Sequence, residues 1–180
     1  MNSNLLSPSL FPPPPNAPDI SGQPIAAVAL IVVENSVLMM RRAEKEGDPW
    51  SGHMAFPGGR YEPDDLNLRR TAERETWEEV GVELPNRAYL GPLTPLNHPR
   101  MNVNAFVYQL MQVPDLKCNH EVAETFWFTF DELTDARNRQ PYAFTYKNKE
   151  MTFPSIQTQG AIVWGISHQF LMDLLSRIGR

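Results

Sequence analysis

Three carboxylates, Glu75, Glu78 and Glu79, lie within five residues of one another in the segment Ala72-Glu73-Arg74-Glu75-Thr76-Trp77-Glu78-Glu79-Val80-Gly81. On a helix they occupy i, i+3 and i+4 and share one stripe. Like charges about 5–6 Å apart at an effective dielectric near 20 repel by about 3 kcal/mol per pair before salt screening. A cation is needed to offset that cost. Oxygen donors at this density suit hard divalent ions, so Mg²⁺ or Mn²⁺ is the expected cofactor, and zinc is disfavoured without a paired Cys or His motif. The ordinary alternative is a solvated acidic face, salt-bridged by Arg69, Arg70 and Arg74.

The elements that must position these groups are legible from punctuation. Leu66 to Val80 carries no Pro or Gly, and Gly81 follows where a helix end wants it, so the spacing predicts the central helix. Upstream, Phe56-Pro57-Gly58-Gly59-Arg60 holds a glycine pair that lets backbone pass close to another group, followed by a loop long enough to return over the helix start. The apolar run Ile25 to Val33 and the run Val37 to Met40, joined at Glu34-Asn35-Ser36, read as a hairpin. Strands are expected at Arg87 to Leu90, Val103 to Met111 and Glu121 to Phe130, with a second hairpin from Tyr142 to Phe153 turning about Lys147-Asn148-Lys149. Gln159 to Arg177 reads as a closing amphipathic helix.

The residues Gly59, Asp65 and Arg74-Glu75-x-x-Glu78-Glu79-x-Gly81 resemble the Nudix box, a family motif of Gly, five residues, Glu, seven residues, then Arg-Glu-x-x-Glu-Glu-x-Gly. Asp65 stands in place of the first Glu, one additional residue precedes Arg74, and Thr76 replaces an aliphatic. The resemblance runs from about Ile25 to the C-terminal helix. It implies an α/β/α sandwich with a mixed β-sheet, and metal-dependent hydrolysis of a pyrophosphate bond in a nucleoside diphosphate derivative. Glu75 and Glu79 would be metal ligands with the Gly59 carbonyl, and Glu78 a ligand or base. Arg74 would orient Glu75 and Glu78. Glu121, opening a later strand, is the other candidate base, with Glu124 beside it.

Gly52-His53-Met54-Ala55-Phe56-Pro57-Gly58-Gly59 resembles the signature upstream of the box in the coenzyme A diphosphatase branch, and Val163-Trp164-Gly165 is similar to that branch too. Coenzyme A or acyl-CoA, cut to 3',5'-ADP and (acyl-)4'-phosphopantetheine, is thus the first expected substrate. An ADP-ribose or nucleotide-sugar diphosphatase, a dNTP-cleaning pyrophosphohydrolase, and a regulatory module that only binds nucleotides are the alternatives. Arg41, Arg42 and Arg60 are the candidate phosphate contacts, since guanidinium groups bind phosphate bidentately; His98 and Arg100 are weaker ones. Trp50 either meets a base or a partner or is packed.

The 180 residues fit one domain, and 42% hydrophobic with 21% charged residues excludes wholesale disorder and fibrous classes. A net charge of -5 opposes nucleic-acid binding, so a small nucleotide is the expected partner. One cysteine permits no internal disulfide, no apolar run is long enough to span a membrane, and the first residues lack a charged leader start, which together imply a cytoplasmic location. Seven of the 17 prolines fall in residues 1–24. That segment reads as a tail ahead of a domain at 25–180: a polyproline ligand, or an arm lying on its own domain or on the mate in a homodimer.

Overall fold

The structure, a computed structural model, describes residues 5–12, 24–98, 101–147 and 149–180. Arg100, Asn148 and the prolines from 13 to 18 lie outside the described residues. The expected hairpin forms as β1 (Ile25–Val33) and β2 (Ser36–Arg42), with Val33 opposite Ser36. Two short strands the sequence does not announce, β3 (Met54–Ala55) and β4 (Gly58–Arg60), interrupt the following loop. Helix α1 (Leu68–Val80) follows. Asn67 caps it by accepting the Arg70 amide at 3.1 Å, and Gly81 closes it with φ 71°.

Beyond α1 come β5 (Tyr89–Pro92), β6 (Leu96–His98), β7 (Met101–Leu110) and β8 (Val122–Thr129). Arg87 and Ala88, expected to open a strand, instead end a 3-10 turn that spans Asn86–Ala88. Then follow α2 (Phe130–Thr134), β9 (Arg139–Tyr146), β10 (Lys149–Thr158), β11 (Ala161–Trp164) and α3 (Gly165–Arg177). The closing helix is therefore shorter than expected. Gln159 and Gly160, both at positive φ, turn the chain so that Ile162 and Trp164 pair back on β10, and the helix starts only at Gly165. The apolar spacing of residues 162–166 suits either element, and the turn decides it.

The main sheet has the order β3-β2-β1-β7-β5, with β4 on β1, β6 on β7 and β8 on β2. It is mixed, because β1 and β7 run parallel with Ala27 opposite Asn104 while the other pairs are antiparallel. Strand alternation sends Ala27, Ala29 and Ile31 to the face covered by α1, and Leu30 and Val32 to the face covered by α3 and the small sheet β11-β10-β9. Both faces of β1 are thus buried, as its unbroken apolar run requires.

Part of the segment read as a tail packs on the domain. Pro8–Leu10 makes one 3-10 turn capped by the Ser7 hydroxyl, and Gln109 Oε1 accepts the Leu6 amide at 2.8 Å. Phe11 is 2% exposed within the α3-side core. Its carbonyl would lie 2.3 Å from any Cβ at residue 91, so this contact needs Gly91.

Candidate functional site

Strand β4 brings the glycine pair against the carboxylate face of α1. An added Cβ on Gly59 would fall 2.3 Å from the Glu75 carboxylate, and one on Gly58 would strike the Ala27 carbonyl at 2.3 Å. Space requires glycine at both positions, and at Gly58 so does its φ of 151°. Gly58 donates its amide to Glu79 Oε2 at 2.8 Å, tying the buried end of the stripe to the loop.

Arg74 organises the other end. Its Nη1 donates to Glu75 Oε1 at 3.0 Å and to Glu78 Oε2 at 3.3 Å, and its Nη2 donates to the Arg60 carbonyl at 3.1 Å. Asp65 grips the same guanidinium bidentately, accepting Nε and Nη2 at 3.0 Å each. Asp65 is itself fixed by the Thr71 hydroxyl at 2.8 Å and the Glu62 amide at 3.1 Å. The sequence candidates do not include Asp65; the signal for it is its place after Gly59 with five residues between, where the box has its first Glu. Thr76, in the aliphatic position of the box, is fully buried and satisfies its hydroxyl on the Ala72 carbonyl at 2.7 Å.

The electrostatics follow from this packing. The Arg74 guanidinium holds the Asp65 carboxyl down at about 2 and is itself raised by that pairing. Glu79 is 3% exposed, and burial, reinforced by the Glu75 and Glu121 charges, pushes its carboxyl up to about 8 against the pull of the Gly58 amide. Burial raises Glu75 as well, although Arg74 opposes it. A buried and a partly buried carboxyl, both raised beside further carboxylates, form a site short of positive charge.

Oxygen-only donors, a backbone passing within touching distance of Glu75 and this charge deficit fit a hard divalent ion. Among the described residues no group of three Asp, Glu, His or Cys side chains is placed to hold a metal ion by itself. Glu75 and Glu79 lie on the side of α1 that packs against Gly58 and Gly59, while Glu78 is exposed and held by Arg74.

The structure separates the remaining candidates. The Glu121 charge bears on both Glu75 and Glu79, whereas Glu124 is drawn away to Arg41 Nε at 3.4 Å. Arg41 also donates to the Gly160 carbonyl at 3.1 Å. Arg42 bridges to Asp48 at 3.0 Å, and its charge acts on Glu79. Its Nε is buried without a hydrogen-bond partner among the described residues. Arg60 is exposed at the end of β4, and His98 is exposed at the end of β6. Trp50 is 39% exposed and stacks by one face at 5.9 Å on Phe144 and 6.3 Å on Tyr146 beside His53 and Trp164.

Residues 23–148 match the family model for the NUDIX domain. An uncharacterized Nudix hydrolase, NudL, of Pectobacterium atrosepticum is 27% identical over 172 residues, covering 91% of this chain and 90% of that protein. An uncharacterized protein of Schizosaccharomyces pombe, C14C4.10c, is 34% identical over 107 residues. This match covers 54% of this chain and 32% of the yeast protein, so the chain spans about a third of that relative's length. Among solved structures, a bifunctional NMN adenylyltransferase/ADP ribose pyrophosphatase of Francisella tularensis, complexed with AMP and a Mn ion, superposes with a TM-score of 0.51. It is 19% identical, with 63% of this chain and 36% of that chain covered. With the box residues gathered on α1 against Gly58 and Gly59, and the family model matched over most of its length, the chain belongs to the NUDIX domain family.

Proposed function

We propose that this chain is a divalent-metal-dependent hydrolase that cuts the pyrophosphate bond of a nucleoside diphosphate derivative. The observation that carries this reading is the packing of two carboxyls of α1, the buried Glu79 and the partly buried Glu75, against the Gly58-Gly59 backbone. A bound Mg²⁺ or Mn²⁺ would neutralise phosphate oxygens and acidify a coordinated water. Glu75, Glu79 and the Gly59 carbonyl would hold the ion. Arg74, pinned by Asp65, keeps Glu75 and Glu78 in place, and Glu78 or Glu121 takes the proton from the attacking water. Arg42 and Arg60 flank the site for phosphate contact, while Arg41 would first have to release Glu124.

Coenzyme A or acyl-CoA is the first substrate, on the strength of the Gly52-to-Gly59 segment. ADP-ribose is second, supported by the Francisella structure, which names an ADP ribose pyrophosphatase. A binding-only module is disfavoured because Glu75, Glu78 and Glu79 are all present. The one cysteine, Cys118, is exposed and free, consistent with a cytoplasmic setting. No helix among the described residues is long and apolar enough to cross a membrane. The test is a panel of coenzyme A, ADP-ribose, nucleotide sugars and dNTPs with Mg²⁺ or Mn²⁺, products read by mass. Cleavage at the pyrophosphate supports the reading, and no cleavage of any member overturns it.

A further inference from the structure

The surroundings of the partly exposed Trp50 are one-sided. The rings of Phe144 and Tyr146 lie nearly parallel to it, at interplanar angles of 20° and 11°, with His53 at 5.7 Å and Trp164 at 6.2 Å. Phe144 is itself 5.4 Å from His53, 6.5 Å from Tyr146 and 4.6 Å from Trp164, so all four rings gather about Phe144 on one side of the indole. The part of Trp50 left in water is therefore its opposite side.

The loop that carries Trp50 is tied to itself. Gly52 donates its amide to the Arg42 carbonyl at 3.2 Å, and the Arg42 amide donates to the His53 carbonyl at 3.0 Å, closing the base of the loop. Within it the Lys45 amide donates to Ser51 Oγ, and Ser51 Oγ donates to the Lys45 carbonyl, at 2.8 Å each. An indole held this firmly loses little freedom when a flat ring settles on it. A two-ring face is covered more fully by a purine than by a pyrimidine, and a base stacks by its π-face whatever groups its edges carry.

Two contacts join this platform to the carboxylate site. Asp48 accepts the Trp50 amide on Oδ1 at 2.9 Å and the Arg42 guanidinium on Oδ2 at 3.0 Å, and the charge of Arg42 bears on Glu79. At the root of the loop the Ala43 amide donates to the Glu121 carbonyl at 2.8 Å, and the charge of Glu121 bears on Glu75 and Glu79. Arg42 thus touches the platform loop on one side and acts on the carboxylates on the other. A nucleoside diphosphate suits this arrangement, with its phosphates at Arg42 and the carboxylates and its base on the indole. We propose that the open face of Trp50 stacks the purine base of the substrate. The base's place in a substrate rests on the hydrolase reading; stacking on Trp50 does not.

AMP, which carries a purine but no pyrophosphate bond to cut, is the probe, and ribose 5-phosphate, which lacks the base, is the control. With metal-free protein, stacking on the indole should move the AMP H2 and H8 resonances upfield by ring current. Trp50→Leu, which keeps an apolar side chain against Phe144, should abolish that shift and weaken AMP binding about tenfold. Ribose 5-phosphate should bind both proteins alike. Trp50→Phe should keep a smaller shift, and it provides the comparison with wild type if the leucine variant does not fold. In turnover of an adenine-bearing diphosphate, loss of the indole should raise KM about tenfold, with the effect on KM rather than kcat. Unmoved AMP resonances, equal AMP affinity in wild type and variant, or an equal loss of ribose 5-phosphate binding overturns the proposal. So does a variant whose mass in solution changes while AMP binding does not, which would make the face the seat of a second copy of the chain. An AMP shift that depends on Trp50 without cleavage of any diphosphate would sustain the platform and remove the hydrolase reading; cleavage with KM indifferent to Trp50 would do the reverse.

Discussion

Glu79→Gln should make the metal-free protein more stable while abolishing its turnover. The carboxyl is 3% exposed and titrates at about 8 against an ordinary value of 4.5. The folded state therefore binds the proton more tightly than the unfolded chain, and stability falls as pH rises from about 4.5 to 8. Each pKa unit is worth about 1.4 kcal/mol, so the accumulated penalty is about 3 kcal/mol at pH 7 and approaches about 5 kcal/mol above pH 8. Glutamine keeps an acceptor for the Gly58 amide and never ionises. At pH 7 in EDTA the variant should gain up to about 3 kcal/mol, or about 6–12 °C in Tm for a chain of this size, and the gain should vanish below pH 4.5. Urea unfolding at pH 4, 7 and 8.5 with excess chelator measures it. Mg²⁺ should then stabilise the wild type, by about 2.7 kcal/mol at a hundredfold excess over Kd, and leave the variant unmoved. A stability difference that does not change with pH, or a variant less stable at pH 8.5, would refute the argument that a buried, reluctantly charged carboxyl waits for a cation.

Asp65→Asn should cost about 2 kcal/mol at neutral pH, because the wild-type carboxyl is held at about 2, below its unfolded value. That stability is present above about pH 4 and lost as pH falls through 2, so acid unfolding curves of the two proteins should converge there; persistent separation would contradict it. Gly59→Ala should retain the fold but lose most turnover, since its methyl would displace the Glu75 carboxylate; circular dichroism with kcat checks both. Glu121→Gln should lower kcat far more than Glu124→Gln, whose carboxylate is committed to Arg41, and equal effects would count against Glu121 as a base. If coenzyme A is cleaved, mass spectrometry should find 3',5'-ADP and 4'-phosphopantetheine with any thioester intact. ADP-ribose preferred by more than about tenfold, a transition-state difference of about 1.4 kcal/mol, would remove coenzyme A from first place.

The sequence was most legible where one local rule decides. The break-free run before Gly81 marks α1, and the i, i+3, i+4 spacing already aligns Glu75, Glu78 and Glu79. Ile25–Val33 announces a strand buried on both faces. It was less legible where two elements must meet. Asp65 as the grip on Arg74 depends on the loop returning over α1, and Phe11 in the core depends on the open space at Gly91. Ile162 and Trp164 suit a helix or a strand, and only the positive φ of Gln159 and Gly160 settles which. Glu121 and Glu124 look alike in the chain; pairing of β8 with β2 sets Glu124 opposite Arg41.

The central claim is that the α1 carboxylates hold a divalent ion for hydrolysis of a pyrophosphate. The most direct measurement follows product formation by mass, on whichever diphosphate is turned over, with Mg²⁺, with excess EDTA, and with Glu79→Gln in Mg²⁺. The account predicts turnover only in the first condition, restored when Mg²⁺ or Mn²⁺ is added back to the chelated wild type. Undiminished turnover in EDTA, or near wild-type turnover by Glu79→Gln, would show that the stripe is only a solvated acidic face.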